Sequence, residues 1–577
     1  MKYLAPCFIA FLLLGCAKKE KNVAVQDVNV LADKYIEMIF RFDPQWGTFY
    51  GIPNADNVSL PDNSNEGINR RVAAEDSLLS QVVLVDQAKL NAKDLVTYKI
   101  LRESLESAVA VRVCKSHLWT VNHLDAFYLW FKYIGDAQPV GDSSARVAAL
   151  NRWKKIPEFI KNDLKNNKAG VAEGYALPKI IIQQVIEQMD QLLASSLEDN
   201  VFYAPAKRDT DAAFRESLKL IVVNEIMPGV KEYRTFLVNE YLPKARIELS
   251  IRSIPKGDEC YAAFLRSSTT LTATPQEVFD WGQKAIATRG EKIKEIGQKV
   301  YGLNEIPEIK QAFKKDKSNY FSSKEDILKT AQAAIDRAKL AVPRYIGLSP
   351  KAEIVLEAIS PIEEKTGYSR YLPASDDGKR PAKYIQQTYM GKDQTRGGVE
   401  GIAFHETYPG HHLQIAISKE LPKSHSITKY AGNSGFAEGW ARYTESLAAE
   451  MGLYSSEKNK LAMYMGLPTG MVVDPGIHFK NWTREQAIEF TMQNQNGMTR
   501  GGAENYVDRI SVWPGQMTTY GVGEMYFLNL RSNAEAALGK NFDLKSFHDE
   551  CLKNGTVPLN FINEIINEWV EKKKVAK

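Results

Sequence analysis

Eight histidines occur in 577 residues, and three of them fall in the run His405-Glu406-Thr407-Tyr408-Pro409-Gly410-His411-His412. Imidazoles beside a carboxylate are the side chains with which proteins hold zinc and activate water for hydrolysis. In an unbroken HExxH helix the two histidines lie four apart, about 6 Å along the axis and roughly 40° around it, so both reach one ion while the glutamate serves as base. His405 and His411 stand six apart, which a straight helix would separate by about 9 Å and roughly 120°. A straight helix therefore forbids chelation by this pair.

Pro409 and Gly410 offer a way round this. Proline has no N–H to donate and its ring collides with the carbonyl four residues back, that of His405, while glycine accepts backbone angles that other residues resist. The helix is expected to break here, and a loop through Pro409-Gly410 would return His411 to the position held by the second histidine of HExxH. His405 with His412 is the competing pair. It is seven apart, on nearly one face of a straight helix but about 10 Å apart along it, too far for one ion.

A third ligand is expected from the segment 435–445. Glu438, Arg442 and Glu445 recur there at helical spacing among Phe436, Trp440, Tyr443 and Leu447, so a polar face runs through an apolar helix. A buried carboxylate needs a partner. Zinc would serve for Glu438, completing two histidines and one glutamate with an open fourth position. The alternative is an ion pair between Glu438 and Arg442 one turn on.

His-Glu-x-x-Pro-Gly-His-x-x-Gln from His405 to Gln414, followed by Glu438-Gly439-Trp440-Ala441 with Tyr443 and Glu445, resembles the bacterial family called domain of unknown function 885, which is grouped with zincin-type metallopeptidases. Further matching segments are 241–246, 257–261, 474–478, 514–523 and 547–549, so the similarity spans most of the chain. The resemblance implies a mainly α, large two-lobed helical zincin-like metallopeptidase fold with a small β-sheet beside the active-site helix. Read with the residues, it points to one zinc ion per chain on His405, His411 and Glu438 and to Glu406 as general base, with short peptides as the expected substrates although the family's own are poorly defined. The residue after the second motif histidine varies in that family, which favours His411 over His412. Tyr520 is the first candidate for a donor to the developing oxyanion: related oligopeptidases place a tyrosine there, and 518–521 is expected to form a glycine-flexible loop. Arg509 and His478 are candidates for binding a substrate carboxylate or supporting a ligand. His548 ranks below them, and His117, His123 and His425 read as structural or surface residues. Carboxypeptidase or oligopeptidase action is expected, with hydrolysis of a non-peptide amide or cell-wall fragment, or non-catalytic binding, as alternatives.

An apolar stretch over 3–14 precedes Gly15-Cys16 and a polar segment over 17–21, the pattern of a secretory signal too short to span a bilayer. Leu13-Leu14-Gly15-Cys16 resembles a bacterial lipobox, which implies cleavage before Cys16 and lipidation of that cysteine. Residues 1–15 are then signal peptide and 16–30 a lipidated, flexible linker. Ala17 in place of Asp points to the periplasmic face of the outer membrane in a Gram-negative host. Of Cys114, Cys260 and Cys551, at most two pair within the chain; none has CxxC spacing, and the sequence selects no pair.

The formal net charge of +4 includes four lysines within the first 21 residues, so the body is near neutral and no nucleic-acid partner is expected. Helical periodicity dominates. Thr274-Pro275-Gln276-Glu277 is a capping box with proline at the first helical position, expected to open a helix reaching Val300. Helices are also expected over 323–340, 94–113, 146–165 and 178–197, and strands over 352–359 and 384–390, just ahead of the motif. A boundary near Pro381 would divide a helical lobe, 31–380, from a zinc-binding region, 381–577, both within one family domain.

Overall fold

The computed structural model describes residues 27–575 apart from 361–363, 365–366, 391–393 and 422–423. The signal and lipobox segment, with Cys16, lies outside the described residues. Helix α1 (Val28–Phe42) begins where Asp27 accepts from the Asn29 N–H, and it buries Val28, Leu31 and Ala32. The linker expected through residue 30 therefore ends at Asp27, because the capping carboxylate and the apolar face start the helix there.

Capping signals place the long helices. After α2 (Gly257–Thr269), Thr274 and Glu277 form the capping box of α3 (Pro275–Tyr301), and Ser323 caps α4 (Lys324–Ala341). The helices expected over 94–113 and 178–197 are Ala92–Ala110, followed by a 3₁₀ turn, and Lys179–Ala194. The one expected over 146–165 is two helices, Ser143–Trp153 and Ile156–Ala172, with Pro157 in the first turn of the second. Proline there starts a helix more readily than it continues one.

Strands β1 (Ile354–Ala358), β2 (Arg370–Leu372) and β3 (Ala382–Gln386) form one sheet in the order β1-β3-β2, with β1 parallel and β2 antiparallel to β3. The strand expected over 384–390 starts earlier, at Ala382, and β2 is too short to show alternation. Because Ile354 pairs with Ala382, a boundary near Pro381 would cut the sheet, and the fold does not divide there. The cores divide elsewhere. One joins Val28, Leu101, Ile335, Phe404, Trp440 and Ile566. A second, from Cys114 to Tyr261 with Val512, fills a helical lobe that a Cys114–Cys260 disulfide closes, and three smaller clusters lie beside these two. Cys551 is buried and free. Among the described residues no helix is long and apolar enough to cross a membrane.

Five helices build the site: α5 (Arg396–Glu406), α6 (His411–Glu420), α7 (Ser434–Glu450), α8 (Arg500–Val512) and α9 (Thr518–Leu538). Helices α7 and α9 run against each other through glycine. A Cβ on Gly439 would lie 2.4 Å from Gly523 Cα, and one on Gly523 would lie 2.1 Å from the Gly435 carbonyl oxygen. Any side chain at either position would force the two backbones apart.

Candidate metal centre

His405 and Glu406 are the last two residues of α5, and His411 is the first of α6. Between them the chain doubles back, with the Gly410 N–H donating to Phe404 O at 3.1 Å and the Leu413 N–H to Thr407 O at 3.2 Å. A Cβ at position 410 would sit 1.9 Å from the His405 carbonyl oxygen, so only glycine fits the turn. Trp440 on α7 holds it by donating from Nε1 to Pro409 O at 3.0 Å. The chain thus breaks where Pro409-Gly410 predicts.

The break brings three side chains together. His405 Nε2 and His411 Nε2 face Glu438 Oε2 at 3.5 and 3.4 Å, and the three donor atoms lie within 4.8 Å of one another. Donors at about 2.0–2.1 Å from a tetrahedral zinc are roughly 3.4 Å apart, so the two histidine–glutamate spacings fit that ion. Glu438 Oε2 and His411 Nδ1 are buried without a hydrogen-bond partner among the described residues, and a buried carboxylate oxygen left this way favours a cation. Burial opposes charge on Glu438, but the two imidazoles hold its carboxyl below the usual range. Glu438 makes no ion pair with Arg442 among the described residues; Arg442 Nη1 pairs with Glu445 Oε2 instead, at 2.7 Å.

Glu445 supplies what the three donors lack. His405 Nδ1 lies 2.9 Å from Glu445 Oε1, and donating there leaves Nε2 free to bind a metal. Arg442 also donates to Gly466 O at 2.8 Å, and Glu524, 3.9 Å from Arg442, pairs with Arg289. Burial disfavours a charged His405, yet Glu438 and Glu445 push its pKa up to about 10. The spacing of seven from Glu438 to Glu445, two helical turns, was the sequence signal for this orienting role.

Glu406 is 8% exposed, and the Tyr371 main chain on β2 favours its charged form. Burial raises its pKa, while the imidazoles of His405 and His411 oppose the rise. Tyr520 is not on a loop. It lies in the first turn of α9, where the neighbouring glycines serve packing, Gly521 against Met471 and Gly523 against Gly439. Its ring stacks on His405 with centroids 6.5 Å apart. Burial and the Glu438 charge raise its pKa, so it remains a phenol able to donate. Arg509 Nη2 donates to Gln516 Oε1 at 2.8 Å and to Tyr520 Oη at 3.4 Å, and its buried Nε has no partner among the described residues.

Three other histidines are engaged elsewhere. His478 is fully buried, accepting at Nδ1 from the Ile251 N–H at 3.1 Å and donating from Nε2 to Ile510 O at 3.0 Å. Both nitrogens are used, which leaves it nothing to offer a substrate, and burial pushes its pKa down to about 3. His412 turns toward the sheet, with Nε2 3.0 Å from Ala352 O and 3.1 Å from Tyr408 Oη. His548 joins Tyr345 O at 2.8 Å to Tyr443 Oη at 2.7 Å.

A family model described as a bacterial protein of unknown function, DUF885, matches residues 44–566. Two solved structures share the fold. The crystal structure of a candidate lipoprotein from Colwellia psychrerythraea superposes with a TM-score of 0.86 at 21% identity, over 95% of this chain and 100% of that one. A candidate lipoprotein of unknown function from Shewanella oneidensis gives 0.71 at 19% identity, over 94% and 100%. At these identities the likeness is one of fold. No curated protein matches the chain.

Proposed function

We propose that this chain, which by that match belongs to the bacterial family of unknown function DUF885, is a zinc peptidase of zincin-like fold that hydrolyses short peptides. The observation that carries the reading is the convergence of two imidazole Nε2 atoms on an otherwise unpartnered Glu438 oxygen, beside a buried Glu406. Zinc, when bound there, polarises the scissile carbonyl and acidifies water. The remaining work falls to the chain's own residues. Glu406 takes the proton from the attacking water and hands it to the leaving amine. Tyr520, held as a phenol, donates to the carbonyl oxygen as charge grows on it. Arg509 offers its unpartnered Nε–H to a terminal carboxylate, which suits release of residues from a C-terminus. The lipobox over 13–16 and the two candidate lipoproteins of the same fold support a lipid tether at Cys16 in the cell envelope.

Two substitutions separate base from ligand. Glu406→Gln keeps zinc by elemental analysis and loses peptide turnover by at least about a hundredfold. Glu438→Ala loses zinc. Metal retained in Glu438→Ala and lost in Glu406→Gln would exchange the two roles, and a wild-type protein that takes up no zinc ends the reading.

A further inference from the structure

A cavity of about 600 Å³ lies against the helical lobe and does not contain the histidines. It adjoins them through a short chain of contacts. Gln516 and Trp513 line it. Arg509 donates to Gln516 at 2.8 Å and lies 5.4 Å from the centroid of the Trp513 ring. Arg509 also reaches Tyr520, whose ring stacks on His405.

Six rings wall the cavity, those of Trp119, Phe127, Trp130, Phe159, Phe264 and Trp513. Trp130, Phe159, Phe264 and Trp513 are only half-buried, so part of each is open to a ligand. The disulfide fixes two of the walls. Trp119 Nε1 donates to Cys114 O at 2.9 Å, and Cys260 lies one turn before Phe264 on α2.

Two carboxylates complete the lining. Asp163 is buried and accepts from Thr120 Oγ1 at 2.7 Å and Tyr233 Oη at 2.8 Å. Asp125 stands at the exposed rim and accepts from Trp513 Nε1. Among the described residues no lysine, arginine or histidine acts on either one, and none lines the cavity. Near the histidines, buried Glu445 is matched with Arg442 and Glu524 with Arg289, whereas buried Asp474 is held by Tyr261 Oη at 2.8 Å and the Gly515 N–H at 3.0 Å, with no cation on it among the described residues. Aromatic faces attract cations, and uncompensated carboxylates in a partly desolvated cleft do so more strongly. The volume falls within the roughly 300–1,000 Å³ of ligand sites, enough for a long side chain and its neighbours in a peptide.

We propose that this cavity is a specificity subsite for a basic side chain, lysine or arginine, of a short peptide whose scissile bond lies at the His405–His411–Glu438 centre. The stem packs on the rings while the cation meets Asp125, and the same carboxylates reject acidic residues. The assignment to a cleaved peptide rests on the peptidase reading; the binding of the cation does not.

The test uses N-acetylated peptides that differ only in lysine against norleucine, which keeps the stem and lacks the charge. The zinc-loaded protein is expected to cleave the lysine peptide with kcat/KM at least about tenfold higher at one position relative to the scissile bond. Asp125→Asn brings that ratio close to one, and Trp130→Leu lowers it independently. Binding is read apart from turnover, by titrating N-acetyl-lysine amide and N-acetyl-norleucine amide against tryptophan fluorescence in Glu406→Gln. Equal affinities for the two amides, or a lysine preference that survives Asp125→Asn, overturns the subsite. A preference seen only with free amino termini overturns it in favour of the terminal ammonium. Lysine-amide binding without cleavage of any peptide ends the peptidase reading and leaves the subsite standing.

Discussion

Two neighbouring regions hold carboxylates in opposite ways. Behind His405 the charges are matched: Glu445 sits between His405 and Arg442, and Glu524 between Arg442 and Arg289. Around the aromatic cavity Asp163 is held by two hydroxyls and Asp125 by an indole and the Asn122 side chain, with no cation on either among the described residues. A closed ion network recovers much of its desolvation cost only in one geometry, so it fixes the side chains in it. An open set is completed by whatever cation arrives. On the proposed reading, the first region holds a metal ligand still and the second recognises a mobile group.

The largest effect expected from breaking this pairing comes from Gly410→Ala. The new Cβ has no space against the His405 carbonyl, so the turn must open and move His411 off Glu438. Zinc binding is lost with every ligand side chain still present, as elemental analysis after dialysis will show. N-acetyl-lysine amide should still quench tryptophan fluorescence, since the cavity lies against a different core. Loss of both together would mean that the two regions form one cooperative unit.

Glu445→Gln is expected to act less severely. The amide can still accept from His405 Nδ1, but the charge that balances Arg442 is gone. Zinc affinity, measured by competition with a chelator, should fall about 10–100-fold, the usual scale for losing a partner of a metal-bound histidine. Unchanged affinity would reduce Glu445 to a packing residue.

Much of the proposed ligand set was legible in local sequence because each signal was local. The clash that Pro409-Gly410 imposes on a helix concerns four residues, and Glu438 to Glu445 is a periodicity within one helix. The capping box at Thr274 was readable for the same reason. What stayed hidden depends on segments far apart in sequence. The Cys114–Cys260 bond joins positions 146 residues apart, and no spacing rule selects it. The glycines of 521–523 read as a flexible loop because their use, close packing against α7 and Met471, lies in another helix. His478 looked available for a substrate, yet Ile251 and Ile510 occupy both its nitrogens. The boundary near Pro381 failed because β1 and β3 pair across it. The cavity had no sequence signature either, since its rings come from separate helices and turns that only the fold assembles.

The smallest effect on metal is expected at the residue beside a ligand. His411 and His412 are adjacent, both buried and both in the first turn of α6, so burial and position do not separate them, although helix spacing and the family resemblance favour His411. Their rings point apart. His411 Nε2 faces Glu438 at 3.4 Å, whereas His412 bridges Ala352 O, Tyr408 Oη and Tyr371 Oη at 3.0, 3.1 and 3.3 Å, tying α6 to the sheet. His412→Ala should therefore retain full zinc content and lose only structural support. The groups it leaves unpaired cost about 1–3 kcal/mol, visible as a lower urea midpoint. His411→Ala should show the reverse, with zinc gone and stability in the metal-free state little changed. If His412→Ala released zinc while His411→Ala kept it, the chelating pair would be His405 with His412, and the charge-matched region would have to be rebuilt around a different helix face.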